Sequence, residues 1–161
     1  MGSSMMKERV YLDSTIPSYY FEERDSLRLF SDITRDWWDE MSQEYGLYIS
    51  EEVLREVSLG EYPNRQKVVQ FTSQIAMLES VPAIANTAEF YIQNKVMPNS
   101  LIGDAFHLAY ASFYGLEYLL TWNCNHLANA NKKKHIRVIN VRLGLGTPEI
   151  VTPLELFKEK D

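Results

Sequence analysis

The chain has 161 residues, which suits one domain with a proper core and excludes two ordinary ones. No apolar window reaches spanning length and no charged-then-apolar leader opens the chain, so membrane insertion and export are not expected and the cytoplasm is the expected location. One cysteine excludes an internal disulfide, three scattered histidines cannot found a Cys/His zinc cluster, and a net charge of −6 argues against a broad nucleic-acid surface.

Residues 1–5 (MGSSM) read as a remnant of expression cloning, leaving a single domain over residues 6–161. Val10, Tyr11 and Leu12 favour a buried strand that stops abruptly at Asp13, Ser14, Thr15, Ile16 and Pro17. From Asp25 to Tyr45, apolar residues at Leu29, Ile33, Trp37 and Met41 predict one long amphipathic helix closed by Gly46. Leu47, Tyr48 and Ile49 give a second strand. Ser50 can cap a helix over EEVLREVSL that Gly60 ends, and another helix follows Pro63 through Val68, Val69, Phe71 and Ile75.

Met77 to Val81 is the third strand candidate, stopped by Pro82. Thr87 can cap a helix over AEFYIQNKV, and Ser100 the next, LIGDAFHLAYASFY, which Gly115 stops. Tyr118 to Thr121 read as a buried strand. His126 to Leu143 alternates like a strand in IRVINVRL, yet Ile136, Ile139 and Leu143 fit a helix, which is the reading adopted. Its run Lys132, Lys133, Lys134, with His135 and Arg137 beyond, is either a solvated helix face or a phosphate-contacting edge. Ile150 and Val151 form a last short strand before a turn from Pro153. Strands alternating with helices, without tandem hairpins, predict an α/β domain: a central parallel sheet of four to five strands flanked by helices.

The chemistry begins at Asp13. Ligands of open α/β sheets collect beyond the carboxyl ends of the strands, although an Asp there can also serve only to cap its loop. Glu56 leaves the edge of its helix's apolar stripe, while Glu52 reads as a salt-bridged surface acid. Asp104 shares an otherwise apolar stripe with Leu101, Leu108 and Ala111, and a buried ionised acid needs donors, a cation or a cleft. His107 is either a partner of Asp104 or a packed core histidine. The strand ending in Thr121, Trp122, Asn123, Cys124 and Asn125 brings Asn123 opposite Asp13 if the two strands are neighbours. Acids gathered so closely call for a counter-ion, and a hard divalent metal is the economical one.

In order along the chain, YLDST, SEEVLREVSLG, GDAFHLAYAS and LLTWNCNHLAN resemble the PIN domain, and within it the VapC-type toxins of toxin–antitoxin pairs. The resemblance implies a three-layer PIN-like fold, an acidic pocket holding Mg2+ or Mn2+ on Asp13, Glu56 and Asp104, and hydrolysis of RNA phosphodiesters. It assigns Asp13, Glu56, Asp104 and Asn123 to catalysis, and Thr15, Thr121 and Asn125 to positioning water or substrate. A cognate antitoxin and a homodimer are the implied partners, with no membrane. Trp37, Trp38, Tyr19 and Tyr20 could furnish an interface, although core packing is the commoner fate of such residues. The family's T-x-D-x-D run appears here as Thr121, Trp122, Asn123, Cys124, Asn125, leaving three formal negative charges and placing tight binding of a second metal in question. The competing reading is a PIN-like scaffold of lost activity that binds RNA or protein. A phosphatase or phosphotransfer receiver is disfavoured, because DST lacks the second acid of such loops.

Overall fold

The computed structural model describes residues 6–123 and 130–157. Five parallel strands, β1 (Arg9–Leu12), β2 (Gly46–Ile49), β3 (Ala76–Met77), β4 (Tyr118–Leu120) and β5 (Glu149–Val151), form one sheet in the order β3-β2-β1-β4-β5. Between them run α1 (Thr15–Tyr20), α2 (Arg28–Met41), α3 (Glu51–Ser58), α4 (Arg65–Ser73), α5 (Pro82–Gln93), α6 (Ile102–Phe113) and α7 (Ala130–Leu143). The α/β class and the helix-flanked parallel sheet predicted from the alternation of signals are both present. Among the described residues, no helix is long and apolar enough to cross a membrane.

The sheet is built outward from β1, where Val10 pairs with Leu47 of β2 on one side and with Tyr118 of β4 on the other. Val10, Tyr11 and Leu12 are wholly buried although they point alternately to opposite faces, so both faces are covered. That is why β1 reads as an unbroken apolar run rather than an alternating one. The Tyr11 ring turns towards α6, stacking on Tyr110 with centroids 6.2 Å apart. After β1 the chain builds leftward to β3, then returns to place β4 against β1's free side. A crevice therefore opens at the carboxyl ends of β1 and β4, where the strand order reverses.

Several local expectations shift. The helix predicted from Asp25 to Tyr45 is α2 between two 3-10 turns, Asp25–Leu27 and Ser42–Glu44, and Gly46 opens β2 opposite Arg9 instead of closing the helix. The core face of α2 is Ser31, Thr34, Trp37 and Met41, while Leu29 is 68% exposed. Ser31 and Thr34 can face inward because their hydroxyls donate to the carbonyls of Arg28 (3.1 Å) and Phe30 (2.7 Å), so neither is left unsatisfied. The third strand is only Ala76–Met77. Pro82 begins α5 rather than stopping a strand, since proline suits a first helical position, and Thr87 lies inside that helix with its hydroxyl on the Ala83 carbonyl. Ser100 sits in a 3-10 turn, Asn99–Leu101, that leads into α6. From Ala130 the ambiguous segment is helical as read, with Ile136 and Ile139 buried, and Lys133, Lys134 and Arg137 of its basic run are exposed; its first residues lie outside the described ones.

The aromatic residues considered for an interface pack largely within the monomer. Trp37 is fully buried, stacks on Tyr45 at 6.0 Å and donates its indole N–H to the Leu156 carbonyl at 3.1 Å. Tyr20 and Trp38 both pack on Phe71, at 4.9 and 4.6 Å. Trp37→Ala should therefore cost about 3–5 kcal/mol in urea denaturation, whereas Leu29→Ala should stay within about 0.5 kcal/mol. Equal losses from the two would contradict the observed phase of α2.

Candidate active site

Asp13 follows β1 directly, with its backbone amide on the Leu120 carbonyl of β4 at 3.2 Å. Its side chain is 1% exposed, and two threonines grip it. On one side Thr15 donates its amide (3.0 Å) and its hydroxyl to Oδ1, the local turn that an i, i+2 acid and hydroxyl can make. On the other side the Thr121 hydroxyl, delivered by the end of β4, donates to Oδ2. Each hydroxyl oxygen in turn accepts a backbone amide from the segment after β4: Trp122 on Thr15 at 3.0 Å and Asn123 on Thr121 at 2.9 Å. The Trp122 indole N–H is fixed on Thr34 of α2 at 2.8 Å. Asp13 thus ties the two strand ends together, with Thr15 and Thr121 bonded to it and Asn123 joined to Thr121 through its backbone amide.

Burial nevertheless raises the Asp13 carboxyl from an ordinary 3.8 to about 6, despite the lowering influence of the nearby His107 and of the two threonines. The donors around Asp13 compensate only part of its desolvation.

The remaining acids collect around α6. Asp104 lies in the first turn of that helix and is buried. One turn on, His107 is 1% exposed; its Nδ1 meets the Tyr11 hydroxyl at 2.7 Å, and its Nε2–H donates to Oε1 of Glu56 on α3. An ionised carboxylate can only accept, which fixes the direction of that bond. The Tyr11 hydroxyl continues to Ser50 Oγ at 2.7 Å, and burial holds the Tyr11 phenol well above its usual value, so it stays protonated. Burial of the His107 ring opposes its charge, but the Glu56 carboxylate, then Asp13 and Asp104, outweigh that and raise its pKa above 6.5. Glu56 is 28% exposed at its side chain and packs on Gly103, the residue before Asp104. Glu56 thus accepts from this imidazole, and Asp13 and Asp104 lie near enough for their charges to act on it. Glu52 forms the surface ion pair with Arg55 expected of it.

Beside Glu56 and Ser14 opens a cleft of about 690 Å³ walled by Phe21, Val57, Tyr62 and Arg24, within the size range of small-molecule and nucleotide sites. Among the described residues, no three acidic, histidine or cysteine side chains stand close enough to enclose an ion unaided. Magnesium rarely asks for that: it is commonly held by one or two carboxylates, with water and substrate phosphate completing the shell. Hard carboxylate oxygens on a desolvated, proton-retaining acid suit such an ion, whose charge would offset the cost that burial places on Asp13. Asn125 lies outside the described residues.

Three side-chain partnerships in the site are not announced by the sequence. Tyr11 looks like core, yet a phenol inside a central strand must find a polar partner, and that need was the available signal. Ser50 was read as a helix cap; its hydroxyl instead bonds Tyr11, and α3 has no side-chain cap. His107 is engaged by Glu56 and Tyr11 through its two ring nitrogens, a pairing across 51 residues that no local spacing announces.

No protein-family model matches the chain, and no curated protein matches its sequence. Solved structures do share its fold. A toxin-antitoxin complex from Klebsiella pneumoniae superposes with a TM-score of 0.59 at 19% identity, covering 89% of this chain and 97% of that one. VapBC2 from Rickettsia felis, bound to a DNA fragment from its promoter, gives 0.55 at 16% identity over 89% and 97%. FitAcB from Neisseria gonorrhoeae gives 0.55 at 15% identity over 91% and 99%. About nine-tenths of the chain thus follows a known architecture.

The Asp13 environment has a signature in metal-free protein. Folded Asp13 keeps its proton to about pH 6 and unfolded aspartate only to about 3.8, so the folded state binds more protons between those values. Stability must fall as pH rises through that window and level off above it, by on the order of 3 kcal/mol from this group. The raised His107 pKa adds a further loss at higher pH, as the ring gives up its proton. Asp13→Asn should flatten the fall between pH 4 and 6 and melt above wild type at pH 7 in EDTA. Parallel melting curves for the two proteins would count against a desolvated Asp13.

Proposed function

We propose that the protein is a divalent-metal-dependent ribonuclease that hydrolyses RNA phosphodiester bonds and is the toxin of a toxin–antitoxin pair. The observation that carries this reading is Asp13, a desolvated acid at the switch point of a parallel sheet, close enough to influence an imidazole that is bonded to Glu56 on the rim of an open cleft. The fold shared with toxin-antitoxin structures supports the toxin role. A bound antitoxin and a homodimeric assembly belong to the same reading.

Asp13 and Asp104 would hold magnesium or manganese, with Glu56 completing the set. Bound there, the ion supplies Lewis acidity to a phosphate oxygen and lowers the pKa of a water. The protein's own groups do the rest. Thr15 and Thr121 keep the Asp13 carboxyl in one orientation. Glu56, partly exposed at the cleft, would take the proton of the attacking water as the P–O bond to the leaving oxygen breaks, and solvent would return a proton to that oxygen. The amide side chain of Asn123, at the end of β4, can donate to a phosphate oxygen without adding charge to an already acidic site.

A binding module without activity is favoured by one observation, that an asparagine, Asn123, stands where an acid would enlarge the ligand set. Titration of manganese together with cleavage of a mixed RNA pool separates the readings. The wild type should bind the ion and cut, EDTA should stop cleavage, and Asp13→Asn or Asp104→Asn should lower the rate on the order of a hundredfold or more. A wild type that binds no manganese at millimolar concentration and cuts nothing would leave the binding module.

A further inference from the structure

We propose that His107 is a positioning residue that fixes the carboxylate of Glu56 at the rim of the cleft, braced from behind by Tyr11 and Ser50. The proposal rests on the ribonuclease reading only for the use to which Glu56 is put. The geometry itself is independent of it.

A buried imidazole has two ring nitrogens to satisfy, and here both are met by side chains, on two different elements, rather than by backbone. Tyr11 of β1 meets Nδ1 at 2.7 Å, Glu56 of α3 accepts from Nε2, and Ser50, at the junction of β2 and α3, closes the row on Tyr11 at 2.7 Å. Four side chains thus run in one buried line from beneath the sheet's carboxyl edge to the cleft. Both ends of the imidazole are committed, so its ring cannot rotate or flip without breaking a bond. The histidine dictates the position of the glutamate rather than following it. Tyr11 and His107 are fully buried on rigid elements, whereas Glu56 is partly exposed on a long, rotamer-rich side chain.

The helix that carries His107 is also cut to receive the acid. One turn earlier, Gly103 leaves room for Glu56: a Cβ there would stand 3.1 Å from Oε2, tighter than most packed contacts, so the carboxylate would have to shift by a few tenths of an ångström. Glu56 is thus bonded to α6 at Oε1 and lies over its bare backbone at Oε2. A glutamate so held keeps one orientation towards the cleft it lines with Ser14. Groups that orient an acid by a bond behind it commonly change metal affinity 10–100-fold when removed.

The test is a double-mutant cycle read two ways in the full chain. In metal-free protein, the imidazole Nε2 proton of wild type should resonate far downfield in NMR, vanish or move in Glu56→Gln, and shift in Tyr11→Phe. In calorimetric titration with manganese, His107→Leu should weaken binding on the order of tenfold or more, His107→Gln, which restores a donor near Nε2, should recover part of it, and His107→Leu added to Glu56→Gln should cost nothing beyond Glu56→Gln alone. If His107→Leu fails to fold, His107→Gln and Tyr11→Phe carry the same cycle. Losses that multiply in the double variant, or a folded His107→Leu with wild-type affinity, overturn the proposal. If the wild type binds no manganese, the ribonuclease reading falls and the imidazole resonance decides alone: sensitivity to Glu56→Gln upholds the positioning and insensitivity overturns it.

Discussion

A carboxyl group kept out of water at the junction of two parallel strands is the constraint on which this structure turns. Asp13 cannot be buried there without donors for both oxygens, and the backbone alone supplies only the Thr15 amide. Two threonine hydroxyls complete the set, one from the next turn and one from β4, a strand more than a hundred residues away. Each hydroxyl is itself oriented by a backbone amide after β4, at 3.0 and 2.9 Å. The acid, the β1–β4 pairing and the course of the chain through Trp122 and Asn123 are therefore one cooperative unit. Charge-assisted bonds of this kind are strong individually and costly to leave half made.

Around that unit the fold accepts a cost in stability. An acid that holds its proton to about pH 6 is poorly solvated at neutral pH, and a fold selected for stability alone would replace the acid together with its threonine donors by groups that pack without desolvation. The same logic applies to the row from Ser50 to Glu56. It places four polar side chains where apolar ones would pack without desolvation cost, and its return is orientation of a group that faces solvent. The likeness of the whole domain to toxin-antitoxin structures at 15–19% identity fits this division, since the architecture persists while the packing around it is free to differ.

What the sequence makes legible follows from distance along the chain. Asp13 and Thr15 are two residues apart, so their turn could be read directly. The partnership with Thr121 could be read only by assuming that its strand neighbours β1, which the absence of hairpin signals supports. Glu56 and Asp104 were each visible as an acid on an apolar stripe, because burial contradicts charge in a way composition shows. The link between Glu56 and His107 was invisible, since it depends on the relative rotation of two helices that no periodicity fixes. Nor could α2 be phased from its leucine: Ser31 and Thr34 satisfy their own hydroxyls on the preceding turn and so behave as core while looking like surface.

Gly103 carries a different consequence. In the first turn of α6 it gives up part of the about 1 kcal/mol that a glycine costs relative to alanine in a helix interior, in a helix otherwise rich in alanine and apolar residues. The next larger side chain would gain that energy and, in the same step, press on the Glu56 carboxylate. Selection for a sturdier helix and selection for a well-placed acid thus pull in opposite directions at a single methyl group. Only a fold in which the place of that carboxylate mattered would leave the space empty.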